Sequence, residues 1–183
     1  MRDRTPCCTD PKHPCGTRWD ALTTWVTKVT GKGFRLVELK GDEQGKAPFF
    51  AQPVGFDGRI FWVAKDKLCD TEKLIHEACH FLMAPKERRN KVNYGLGPGP
   101  FRDVDDFTSD NEEVATSLFQ MMIAPCFGLA EDKMPRPDYN CANRRNIRWE
   151  ECEARAAALF ERVRPTLPPG AFTEPPRRGG RRS

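Results

Sequence analysis

Leu22, Trp25, Val26 and Val29 recur at the spacing of one helical face, which predicts a first helix from about Trp19 to Thr30, closed by Gly31. Hydrophobic runs then shorten, and Phe34–Leu39, Phe49–Val54 and Arg59–Ala64 read as strands. Asp57-Gly58 between the last two is a hairpin signal. Helical periodicity returns over Thr71–Ala84, where Asp70 is placed to cap, Glu72 suits the positive end of the helix dipole and Pro85 stops the run. An irregular stretch covers 85–108. A third helix is predicted from Ser109 or Asp110 to about Pro125. A fourth runs over Asn146–Arg164, with Trp149, Cys152, Ala156, Leu159, Phe160 and Val163 on one stripe. A helix, a small sheet and then three helices make an α+β fold in a single domain.

Composition changes this picture mainly at the ends. The 183 residues suffice for one ordinary domain, and a 38% hydrophobic share with 16 prolines and 14 glycines leaves room for loops and tails. Residues 1–16 read as a Cys/Pro-rich arm, 17–164 as the folded domain and 165–183 as a disordered Pro/Arg-rich tail. Of the net charge of +4, the tail alone carries +3, through Arg177, Arg178, Arg181 and Arg182 against Glu174. The rest is nearly neutral, so no nucleic-acid-binding surface is expected beyond loose polyanion contact by the tail. No run approaches the roughly 20 apolar residues of a membrane span, and no export signal stands at the start, so the expected compartment is the cytoplasm. The eight cysteines then read as thiols, with Cys7, Cys8, His13 and Cys15 as an irregularly spaced candidate zinc cluster.

The chemistry centres on His76-Glu77-Ala78-Cys79-His80. Two histidines four apart on a helix differ by about 40° in direction, so both rings can reach one metal ion, while Glu77 stands close enough to act on a bound water without ligating. Such a site needs a third ligand from another element. The third helix offers Asn111-Glu112-Glu113, and Glu112 is the expected ligand because it shares a stripe with Ala115, Phe119 and Met122. Ser109 with Glu112 and Asp110 with Glu113 are also capping-box patterns, so one glutamate is expected to cap and the other to ligate. Cys79 lies near enough to approach the metal, although a cysteine in a core helix is commonly packing.

Two resemblances follow. His76-Glu77-x-x-His80 with Asn111-Glu112-x-x-Ala115 resembles the glutamate-zincin metallopeptidases, and the order of elements through Met121-Met122-Ile123-Ala124-Pro125 is similar to small bacterial members of that group. This implies a zincin-like fold, zinc on two histidines and the downstream glutamate, and Glu77 as general base. A longer stretch, about 47–128, is similar to the elongation factor P hydroxylase family. It includes Ala47-Pro48-Phe49-Phe50, Arg59-Ile60-Phe61-Trp62-Val63-Ala64, the metal helix, and Ala84-Pro85 through Arg88-Arg89 to Tyr94-Gly95. That resemblance implies Fe(II) on His76, His80 and Glu112, and a protein side chain, in elongation factor P, as substrate.

The expected function is therefore a hydroxylase-like iron enzyme, with a zinc metallopeptidase as the alternative and a metal-stabilised binding module as the third reading. Outside the centre, Leu96-Gly97-Pro98-Gly99-Pro100 reads as a rim or connector. Arg88 and Arg89 read as exposed helix-end charge or as a grip on an acidic partner.

Overall fold

The computed structural model describes residues 14–37, 54–64, 71–96, 102–129, 136–138, 141 and 143–168. Helix α1 spans Pro14–Thr30, β1 Phe34–Val37, β2 Val54–Phe56, β3 Phe61–Ala64, α2 Thr71–Met83, α3 Asp106–Ile123 and α4 Trp149–Val163. The fold is α+β: among the described residues, four helices accompany one small mixed sheet. Its order is β1-β3-β2, with β1 parallel to β3 (Phe34 opposite Phe61) and β2 antiparallel to it (Val54 opposite Val63). No helix among the described residues is long and apolar enough to cross a membrane.

The hairpin forms around Asp57-Gly58 for a local reason. Asp57 Oδ1 accepts the amides of Arg59 and Ile60 at 2.8 and 2.9 Å, and Oδ2 accepts the Trp62 indole at 2.7 Å. Burial alone would raise this carboxyl, but those donors outweigh it and hold it below its ordinary value. Gly58 has φ +93 and packs so closely on the Asn90 carbonyl that a side chain would collide there.

Several boundaries differ from expectation. Helix α1 starts at Pro14 rather than Trp19, so the proposed arm loses its last three residues to the domain; proline suits a first helical turn because its missing N–H would have no helical partner there. Cys7, Cys8 and His13 lie outside the described residues, as do 38–39 and 49–53 of the expected strands and Asp70. Helix α3 starts three to four residues early because Asp105 is its cap, accepting the Thr108 amide at 2.7 Å. Ser109, Asp110 and both glutamates therefore lie inside the helix, and neither glutamate is a cap.

Helix α4 starts late. Asn111 accepts the Arg148 amide at 2.7 Å and donates to the Asn146 carbonyl, and Ile147 stays extended, so Arg144–Asn146 is a separate turn. Trp149, expected on the buried stripe, is 40% exposed, whereas Cys152, Ala156, Leu159 and Val163 are buried as expected. The domain also outruns Arg164. Leu167 is buried, and Thr166 Oγ1 accepts the Trp25 indole at 3.0 Å, so residues expected in the tail close the core over α1.

One core holds this together, built from Leu22, Trp25 and Val26 of α1, the sheet aromatics, the inner faces of α2 and α3, and Leu159 and Val163 of α4. A smaller cluster of Val114, Ala115, Ile147 and Cys152 joins α3 to α4. Helix α3 is thus sandwiched between α2 and α4, which determines where its polar residues point.

Candidate metal centre

Helix α2 presents His76 and His80 on one side, one turn apart, with Leu74, Ile75, Ala78 and Cys79 buried in the core. Their Nε2 atoms lie 3.0 Å apart. Glu113 of α3 faces both, with Oε1 3.1 Å from His76 Nε2 and Oε2 3.0 Å from His80 Nε2. His76, His80 and Glu113 form a group that could hold a metal ion.

Glu112, the expected third ligand, does not join it. A helix turns about 100° per residue, so Glu113, Thr116 and Gln120 share a face and Glu112 points elsewhere. The error lay in the helix phase. The stripe Glu112–Ala115–Phe119–Met122 is not the one that faces the histidines: Ala115 packs towards α4 and Met122 is 37% exposed. Glu112 is buried and ion-paired with Arg88, and its Oε1 is buried with no hydrogen-bond partner among the described residues. Arg88 and Arg89, read as exposed helix-end charge or as a grip on an acidic partner, instead hold groups of the chain itself. Arg88 is buried and donates to the Tyr94 carbonyl and to Glu112; Arg89 donates to the Ala84 and Leu82 carbonyls.

Gln120 is a positioning group that the sequence reading missed. Its amide nitrogen donates to the Glu72 carbonyl at 2.9 Å, which can only accept, so its oxygen must face His76 Nδ1, 2.8 Å away. Nδ1 therefore carries the proton, and the Nε2 lone pair of His76 points at the other two donors. Thr116 Oγ1 lies 3.3 Å from His80 Nδ1 on the same side. The polar spacing Glu113–Thr116–Gln120 within a buried helix was the available signal.

Burial and charge act against each other within the group. Burial pushes His80 down, but the charge and hydrogen bond of Glu113, with Glu77 and Glu112 nearby, overcome it and lift its pKa to about 9. Glu113 is held well below the carboxylate range: burial opposes this, and both histidines outweigh burial. At neutral pH a proton on His80 thus occupies the position between donors that a cation can take. Two imidazole nitrogens and a carboxylate, converging at 3.0–3.1 Å with one tautomer fixed from behind, suit a divalent metal.

Glu77 is nine-tenths buried beside the histidines. Burial raises its carboxyl, the two histidines temper the rise and Glu113 adds to it. Cys79 is fully buried in the core, its thiol pushed well up by burial and by Glu77, and it is not part of the ligand group. Of the expected rim, 97–100 lie outside the described residues. Compared with protein-family models, curated proteins and solved structures, the chain matches none.

Proposed function

We propose that the protein is a mononuclear metal enzyme with a zincin-like arrangement of α2 and α3, in which His76, His80 and Glu113 hold Fe(II) and hydroxylation of a protein side chain is the reaction. The observation that carries this reading is where the Arg88–Gly95 segment lies. Two of the residues most particular to the resemblance with elongation factor P hydroxylases, Arg88 and Tyr94, pack behind the centre, Tyr94 stacking on His80 and Arg88 joining Tyr94 to α3. Two histidines and one carboxylate, leaving further positions open, match the donor set of iron oxygenases, and iron so bound supplies oxygen activation. A structural zinc site commonly has four closed ligands, whereas three converge here among the described residues, which favours an enzyme over a binding module. The substrate on this reading is a cytoplasmic protein, with elongation factor P as the candidate.

The zinc peptidase remains a second reading because of Glu77, a carboxylate beside the histidines whose proton affinity burial raises, in the direction that suits a general base. Glu77→Gln separates the two. Metal stays bound on either reading, since Glu77 is not among the ligands. Loss of a general base costs about 10²–10⁴-fold in rate, whereas loss of a supporting group beside an iron site costs about 10–100-fold. Turnover is measured for wild type and variant with Fe²⁺, reductant and oxygen, and with Zn²⁺. Oxygen-dependent product that partly survives in the variant is the expected result. Zinc-dependent peptide cleavage that vanishes in the variant would replace the hydroxylase with the peptidase.

A further inference from the structure

The ring of Tyr94 lies between the sheet and a metal ligand. It is parallel to Phe56 within 8°, with centroids 5.0 Å apart, and lies within 20° of the plane of His80, at 5.7 Å. Its hydroxyl donates to the Glu77 main-chain carbonyl at 2.7 Å, one residue after His76. To bring the ring there, the backbone adopts three successive left-handed conformations, Asn93 at φ 42, Tyr94 at φ 59 and Gly95 at φ 72. Two of the three are not glycine, so the turn is unfavourable in itself and persists only where its surroundings hold it. Asn93 Oδ1 accepts the Phe56 amide at 3.4 Å, and Arg88 holds the turn from the other side: its Nη1 donates to the Tyr94 carbonyl at 2.8 Å while Nη2 pairs with Glu112. Glu112 is the chain neighbour of the ligand Glu113. One buried guanidinium thus links the left-handed turn to the element that carries the third ligand.

We propose that Arg88 and Tyr94 are positioning residues of the metal centre. Arg88 fixes the left-handed turn against α3, and the Tyr94 ring fixes the plane of His80, so the spacing between His80 and Glu113 is determined by groups that touch no metal. This rests on the capacity of His76, His80 and Glu113 to hold a metal, and not on which reaction follows. A purely structural role would lower stability and leave the ligand geometry of folded protein unchanged, so the test reads geometry.

The probe is Co²⁺ added to the full metal-free chain, with its visible absorption bands reporting ligand geometry and titration reporting affinity. Tyr94→Phe keeps the ring and should retain wild-type bands and affinity. Tyr94→Leu should shift the bands and weaken Co²⁺ by about 10–100-fold. Arg88→Lys, which keeps the charge beside Glu112 but cannot fork to both partners, should shift them in the same direction. Circular dichroism confirms that each protein compared is folded, and if Tyr94→Leu is not, Arg88→Lys carries the decision. Unshifted bands and wild-type affinity in folded Tyr94→Leu or Arg88→Lys overturn the proposal. A wild-type chain that binds no Co²⁺ overturns the centre itself, and the positioning role with it.

Discussion

Helix α3 has two buried flanks with different chemistry. Towards α2 it offers Glu113, Thr116 and Gln120, each directed at a histidine: Glu113 meets both rings, Thr116 meets His80 and Gln120 meets His76. Towards α4 it offers Val114 and Ala115, packed on Ile147 and Cys152, together with Asn111, which accepts the Arg148 amide. The α4 flank satisfies the backbone and excludes water, as a packing surface should. The α2 flank brings Glu113 to the Nε2 atoms of both histidines, while Gln120 and Thr116 face their Nδ1 atoms from behind. Glu112 lies off the histidine-facing stripe and belongs to neither flank: it is a buried charge neutralised by Arg88. Adjacent glutamates on one helix thus have opposite roles, one dependent on a protein cation and the other available to a metal.

The sharpest way to break that contrast is to remove each glutamate's partner. Arg88→Met leaves Glu112 buried and uncompensated, and breaking a buried pair from one side costs about 3–5 kcal/mol. The expected outcome is a loss of that size in denaturant unfolding of metal-free protein. Adding Glu112→Gln should recover much of it, because the orphaned charge is gone. No recovery in the double variant would mean that Arg88 stabilises chiefly through the Tyr94 carbonyl.

Glu113→Gln should behave in the reverse way. In metal-free protein it removes the carboxylate that keeps His80 protonated, so its cost should shrink as pH rises through about 9, where His80 loses that proton. In the presence of metal, wild type gains stability by mass action, about 2.7 kcal/mol at a hundredfold excess over Kd, and the variant should gain almost none. Thermal melts with and without Zn²⁺ or Co²⁺ measure this. If Glu112→Gln, rather than Glu113→Gln, abolishes the metal-induced shift, the assignment of the two glutamates is reversed.

Much of the fold was legible because its signals are local. The periodicity of α1 and α4, the Asp57-Gly58 hairpin and the Pro85 stop each depend on residues near one another in the chain. Both histidines were legible for the same reason, since a single helix fixes their spacing. The third member of the group was not, because its identity depends on the rotation of α3 about its own axis. That rotation is determined by packing on α2 and α4 at once, and a stripe starting at Glu112 is nearly as plausible on hydrophobicity alone. The start of α3 compounded the error: with Ser109 or Asp110 read as the cap, the glutamates looked like first-turn residues, whereas Asp105 caps the helix. The role of Arg88 was hidden for a similar reason. Nothing in a sequence marks an arginine as buried until its two acceptors, a carbonyl six residues on and a carboxylate twenty-four residues on, are brought to it by the fold.

The finest test of the two flanks compares their amides. Gln120 and Asn111 are both buried, both on α3, and both use oxygen and nitrogen at once. Gln120→Met removes the acceptor that keeps the proton on His76 Nδ1, so Nε2 no longer faces the centre in a fixed tautomer. Supporting groups of this kind contribute about 10–100-fold to metal affinity, and that is the expected weakening, with only a modest change in metal-free stability. Gln120→Glu keeps an acceptor for Nδ1 and should bind metal better than Gln120→Met, even though it loses the donor to the Glu72 carbonyl. Asn111→Leu should do the opposite. It leaves the Arg148 amide without its acceptor, at about 1–3 kcal/mol in unfolding, while metal affinity in the folded fraction stays at the wild-type value. Titration with Co²⁺ and denaturant unfolding on the same preparations separate the two effects. If Asn111→Leu loosens the metal as much as Gln120→Met does, the flanks are not independent, and the centre is held by the whole of α3 rather than by one side of it.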